Sequence, residues 1–114
     1  MAPRDRRVVW SAQARRQLDE AVEYISKDSV EAAQRVLLNV LEAASSLSMM
    51  SERGRVVPEL FRPAVREVFV HTYRLIYEVG PAQVEILAFL HGARDFAKWR
   101  RGQGGSGESG LTPA

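Results

Sequence analysis

The 114 residues predict one α+β domain ordered β-α-α-β-β-β, an N-terminal strand and helical hairpin packed on a mainly antiparallel sheet, with a short C-terminal helix. Three observations carry this reading. Apolar residues recur at helical spacing through the first half of the chain. Three runs rich in β-branched and aromatic residues follow, separated by short breaks. Hydrophobic residues make up 46% of the chain, enough for a single packed core and too many for global disorder.

The elements follow in order. "RRVVW" (6–10) predicts a strand whose Val8, Val9 and Trp10 suit a pleated, buried surface. Ser11 offers a hydroxyl at a helix start. Ala14, Leu18, Ala21, Val22 and Ile25 then share one helical face. "SKDS" (26–29) breaks the pattern, and Asp28 with Glu31 reads as a capping box for a second helix. That helix places Val30, Ala33, Leu37, Val40, Leu41, Ala44 and Leu47 on one stripe. The short break predicts an antiparallel αα-hairpin.

"SMMSERGRVVPELFRP" (48–63) has no period and is punctuated by Gly54, Pro58 and Pro63. It predicts a loop long enough to favour a functional role. "AVREVFV" (64–70), "YRLIYEV" (73–79) and "QVEILAFL" (83–90) predict three strands, joined by hairpins at His71-Thr72 and Gly80-Pro81-Ala82. Tyr73, Leu75, Tyr77 and Val79 share a face, as do Val84, Ile86, Ala88 and Leu90, and these faces are expected under the helices. The opposite face, with Arg74, Ile76, Glu78, Glu85, Leu87 and Phe89, is neither clean core nor clean solvent and calls for a cover. "RDFAKWRR" (94–101) predicts the terminal helix, its basic residues toward the C-terminal end. Residues 102–114 read as a disordered Gly/Ser-rich tail, which leaves 1–101 as the domain.

Charge is unevenly spread although the net value is only +2. Residues 11–52 carry four basic and seven acidic groups. Residues 53–74 carry five arginines against two glutamates, and residues 91–101 carry four basic groups against Asp95. Two basic segments of this kind argue for an anionic partner if they converge in space. There is no cysteine, so disulfides and thiolate chemistry are excluded. No apolar run approaches the roughly 20 residues that span a membrane, and the N-terminus lacks a signal-type apolar stretch. These features suit a cytoplasmic protein without membrane partners.

No P-loop, dinucleotide fingerprint or metal-ligand spacing is present, so neither metal nor cofactor is expected. The constellation left is Arg55, Arg62, Arg66, His71, Tyr73, Arg74, Tyr77, His91 and Arg94. Arginine forks suit phosphate or carboxylate. Metal-free RNA cleavage needs a base, an acid and cations at the phosphate. His71, His91, Glu67 or a tyrosine offers the proton steps, with Arg66, Arg74 and Arg94 as clamp. Tyr73 and Tyr77, on one strand face, read first as core, and Arg66 and Arg74 read also as partners of Glu67 or Glu78.

Across residues 7–100 the chain resembles the RelE/ParE superfamily of toxins from bacterial type II toxin–antitoxin systems. "VVWSAQARRQLDEAVEYI" looks like that family's first strand and helix, and "DSVEAAQRVLLNVLEAASSL" like its second helix. "GRVVPEL", "VREVFVHTYRLIYEV" and "VEILAFLHGARDF" look like its loop and last three strands. The resemblance implies a growth-inhibiting toxin of the plasmid-stabilization kind, neutralised by a cognate antitoxin with an acidic tail. It offers two targets: DNA gyrase, bound without cutting by ParE-like members, or the ribosome, where RelE-like members cut mRNA. Arg94 matches the catalytic arginine of the RNases, but the terminal helix offers Phe96 and Trp99 where they carry a tyrosine or histidine, and neither ring passes a proton. "LHGARDF" sides with ParE. Arg53, Arg55, Arg62, Arg66, Arg74, Arg94 and Trp99 are the expected surface for target or antitoxin.

Overall fold

The computed structural model describes residues 5–105 and gives an α+β domain. The elements are β1 (Arg7–Trp10), α1 (Ala12–Ser26), α2 (Val30–Ser46), β2 (Arg55–Val56), β3 (Val65–Val70), β4 (Tyr73–Val79), β5 (Gln83–His91) and α3 (Gly92–Gly105). One five-stranded sheet has the order β1-β5-β4-β3-β2. β1 runs parallel to β5, and every other pair is antiparallel. The parallel edge follows from the helical hairpin, which carries the chain across the sheet between β1 and the later strands. The loop expected over 48–63 holds the two-residue strand β2. Residues 106–114, most of the expected tail, lie outside the described residues, and α3 continues past residue 101 to Gly105.

Both helix starts rest on serines. The Ser11 hydroxyl accepts from the Ala14 amide at 3.0 Å, as expected. At α2 the cap is Ser29 rather than Asp28: its backbone is extended, and its hydroxyl accepts from the Ala32 amide at 3.0 Å. The helix begins one residue later than the capping-box spacing suggested, which turns Asp28 out to solvent. The α2 stripe is also rotated from expectation. Val36 joins Ala33, Val40 and Ala44 in the core, whereas Val30 and Leu41 are exposed.

The largest revision lies in β5. Ile76 pairs with Ala88 but Tyr77 pairs with Ile86, so Leu87 is an extra residue and forms a bulge. Alternation restarts beyond it. Val84 and Ile86 face the helices as expected, but Phe89 then joins them, while Ala88 and Leu90 turn to the other face. The helical layer satisfies the bulge's freed backbone groups. The Ser11 amide donates to the Ile86 carbonyl at 2.9 Å, and the Ser11 hydroxyl to the Leu87 carbonyl at 3.2 Å. The Phe89 amide donates to Gln17 Oε1 at 2.8 Å. A buried backbone group left without such a partner would cost about 1–3 kcal/mol.

The sheet therefore separates two cores. One joins α1 and α2 to Val68, Val70, Leu75, Tyr77, Val84, Ile86 and Phe89. The other joins Val57, Val65, Ile76, Ala88 and Leu90 to Phe96 and Trp99 of α3. The cover required by the mixed face is thus supplied by the chain's own terminal helix. Burying each of those two rings contributes about 1.5–3 kcal/mol toward holding α3 in place.

Candidate functional site

On the α3 face the arginines meet acids of their own chain. Glu67 is completely buried and receives two guanidinium groups. Arg55 Nε reaches Glu67 Oε2 at 2.5 Å, and Arg74 Nε reaches Oε1 at 2.6 Å. Arg74 Nη2 also bridges to Glu59 Oε1 at 3.1 Å. The Arg74 guanidinium lies 4.1 Å from the centre of the Phe96 ring, so the network supports α3 as well as the sheet. Arg55 lies 5.5 Å over Phe69. Burial works against charge at Arg74, yet its hydrogen bonds to Glu67 and Glu59 outweigh that and raise its pKa. For Glu59 burial likewise opposes ionisation, and the Arg74 hydrogen bond overrides it, holding the carboxyl below the usual range.

The register explains this gathering. Arg55 sits opposite Glu67 across β2–β3, and Arg74 sits opposite Phe69, two residues along the same face of β3. The Arg74–Glu67 pair is one of the pairings the sequence offered, whereas Glu59, in the loop before β3, was not among the sequence candidates. The only local signal for Glu67 is an acid at an alternate position within an apolar strand, between two arginine-bearing neighbours.

Arg66 sits on the other face, opposite Tyr77. Its Nη1 donates to the Gly54 carbonyl at 2.7 Å and the Glu52 carbonyl at 3.3 Å. The buried Tyr77 hydroxyl accepts from the Gly54 amide at 3.0 Å. Gly54 is required here, since a Cβ would stand 2.5 Å from the Glu67 carbonyl oxygen and 2.6 Å from Tyr77 Oη. Burial raises the Tyr77 pKa, partly offset by the Gly54 hydrogen bond. Tyr77 is core, as the sequence reading expected.

Arg62 pairs with Glu78 at 3.0 Å, and Arg53 donates to the Ser46 hydroxyl at 2.7 Å. Beside Arg62, Phe61 is 87% exposed and has φ +54°, a region unfavourable for a bulky residue. His71 occupies the β3–β4 turn with φ +55°, its Nε2 2.8 Å from Asn39 Nδ2 on α2. His91 is exposed rather than buried at the end of its strand, and packs against Tyr73 with ring centres 4.7 Å apart. Arg94, Lys98, Arg100 and Arg101 are exposed along α3 and form no ion pair among the described residues. Arg94 lies in the first turn and the other three mid-helix, none of them in the last turn.

The candidate RNase groups thus fall into separate places. Arg66 and Arg74 occupy opposite faces. His71 lies five residues from Arg66 along one strand, about 17 Å away. His91 and Arg94 sit at the same end of the sheet as His71, since Tyr73 pairs with both Val70 and His91, away from Arg66 opposite Tyr77. Among the described residues no group of three or more His, Asp or Glu is placed to hold a metal.

A family model described as "ParE toxin of type II toxin-antitoxin system, parDE" matches residues 8–96, from β1 into α3. The chain belongs to this toxin family. The match spans the sheet, the hairpin and the start of the covering helix, and ends before Trp99. Toxin RelE2 of Caulobacter vibrioides is 37% identical over 87 residues, which cover 76% of this chain and 96% of that protein. A chain of the chromosomal ParDE TA system from P. aeruginosa superposes with a TM-score of 0.63 at 19% identity, over 76% of this chain and 96% of its own. At that identity the likeness concerns the fold. The toxin–antitoxin complex RelBE2 from Mycobacterium tuberculosis gives a TM-score of 0.56 at 26% identity, covering 82% of this chain and 95% of the other. As a type II toxin, the chain joins the RelE/ParE superfamily expected from its sequence.

Proposed function

We propose that this toxin arrests growth by binding DNA gyrase in the cytoplasm, without cutting a substrate, and that a cognate antitoxin neutralises it. The observation that carries binding over cutting is the placement of Arg66 and Arg74. One is held by carbonyls on the helix face, the other by two carboxylates on the α3 face. A phosphate clamp needs its cations converging on one atom, and these diverge. What remains for a partner is a set of binding groups: the exposed Phe61 ring and the four unpaired cations of α3. Solved relatives assembled as toxin–antitoxin pairs support the antitoxin partner, and the cationic α3 suits an acidic tail.

Purified protein is expected to stop gyrase supercoiling of relaxed plasmid. Normal supercoiling at saturating protein removes this reading. The name of the Caulobacter relative favours a second one, mRNA cleavage on the ribosome. Primer extension after induction separates the two: new 5′ ends inside coding regions support cleavage, and an intact message with arrested DNA synthesis supports gyrase.

A further inference from the structure

The loop between β2 and β3 holds the Phe61 ring out in water. A single exposed apolar side chain is ordinary on a protein surface. Phe61 differs in how it is held. Its φ of +54° is strained for a bulky residue, and such a conformation persists only where the surroundings over-determine it. The loop does this. The Leu60 amide donates to the Val57 carbonyl at 3.3 Å, and the Val65 amide to the Arg62 carbonyl at 2.9 Å. Pro58 and Pro63 fix the backbone on either side. Glu59 bridges to Arg74, Leu60 packs on the second core, and Arg62 pairs with Glu78. The neighbours of Phe61 are thus tied inward, while its own ring is 87% exposed. A pinned loop that keeps an aromatic ring in water at the cost of backbone strain is preorganised for a contact outside the chain.

Resting on the reading that this toxin acts by binding a protein, we propose that Phe61 is the anchor of that contact, its ring entering an apolar socket on the protein target. Aromatic side chains are enriched at the centre of such interfaces. The neighbouring charges favour a protein over a nucleic acid. Arg62, next to Phe61 in the chain, is already paired with Glu78. Glu85 stands opposite Glu78 across β4–β5 and forms no ion pair among the described residues. Nucleic-acid affinity comes largely from cations set against phosphates, and this side of the loop offers carboxylates instead. The proposal assigns the loop to the target and leaves the α3 cations to the antitoxin's acidic tail.

The test compares the full-length wild type with Phe61→Gly, Phe61→Ala and Phe61→Leu. Glycine accepts a positive φ, so Phe61→Gly should unfold at the wild-type urea midpoint or above it. Binding to immobilised gyrase should weaken about tenfold to a hundredfold in Phe61→Gly and Phe61→Ala, as loss of a buried ring implies. Phe61→Leu keeps most of the apolar surface and should fall in between. Growth arrest on induction without antitoxin should be lost in the same order. Wild type and Phe61→Ala should bind a single-stranded oligonucleotide equally. A wild type that arrests growth without binding gyrase removes the gyrase reading alone, and the growth series still judges the anchor. Full arrest by Phe61→Gly and Phe61→Ala, a clearly lower urea midpoint for Phe61→Gly, oligonucleotide binding that depends on Phe61, or a wild type that arrests no growth overturns the proposal.

Discussion

Replacing Glu67 by Gln tests the buried network most directly. The substitution keeps the shape but removes the charge, and it turns an NH₂ toward one of two guanidinium donors. Arg55 is 60% exposed at its side chain and regains water when released. Arg74 is only 12% exposed and has nowhere to go. Breaking a buried ion pair from one side costs about 3–5 kcal/mol. Arg74 keeps Glu59 at 3.1 Å and the Phe96 ring at 4.1 Å. That retained support lowers the expected loss to about 2–3 kcal/mol. For a domain near 100 residues this is a fall in Tm of about 10–20 °C. Urea unfolding followed by tryptophan fluorescence measures it, with Arg62→Ala as control. The Arg62–Glu78 pair is half exposed on both sides and should contribute about 0–1 kcal/mol. If Glu67→Gln unfolds at the same midpoint as that control, the Glu67 network does not hold this face together.

Three further outcomes are expected. Gly54→Ala forces a Cβ against the Glu67 carbonyl and should destabilise by about 1–3 kcal/mol, read as an earlier urea midpoint. Stability should fall as pH rises above 10: Tyr77 has a raised pKa, so it stays protonated in the folded chain while the unfolded chain loses its proton. Its contribution is fully present below the ordinary tyrosine value, and Tyr77→Phe should flatten that part of the alkaline profile. Ser29→Ala should cost about 1 kcal/mol through loss of the α2 cap, whereas Asp28→Ala should leave the thermal midpoint nearly unchanged.

Much of the fold was legible because it is written in local periodicity. The α1 face, the Ser11 cap and the two hairpin breaks each depend on residues within a few positions of one another, and each formed as read. The site was less legible. The two basic segments suggested one positive patch, yet Arg55, Arg62 and Arg74 turned out to be paired with acids of the same chain, leaving the α3 cations exposed. Pairing of this kind is a matter of register, since Glu67 and Arg74 belong to different strands and Glu59 to the loop before them.

The sequence by itself determined the two long helices, the four longer strands and the membership of the toxin superfamily, but not strand β2 or the last residues of α3. Tertiary structure alone decided which way each side chain faces after Leu87, which serine starts α2, and which arginines remain available. Alternation and helical spacing are properties of a single segment, whereas a bulge exists only relative to a partner strand. A guanidinium is likewise neutralised only if folding brings a carboxylate from elsewhere within hydrogen-bond reach, and no one-dimensional pattern records that distance.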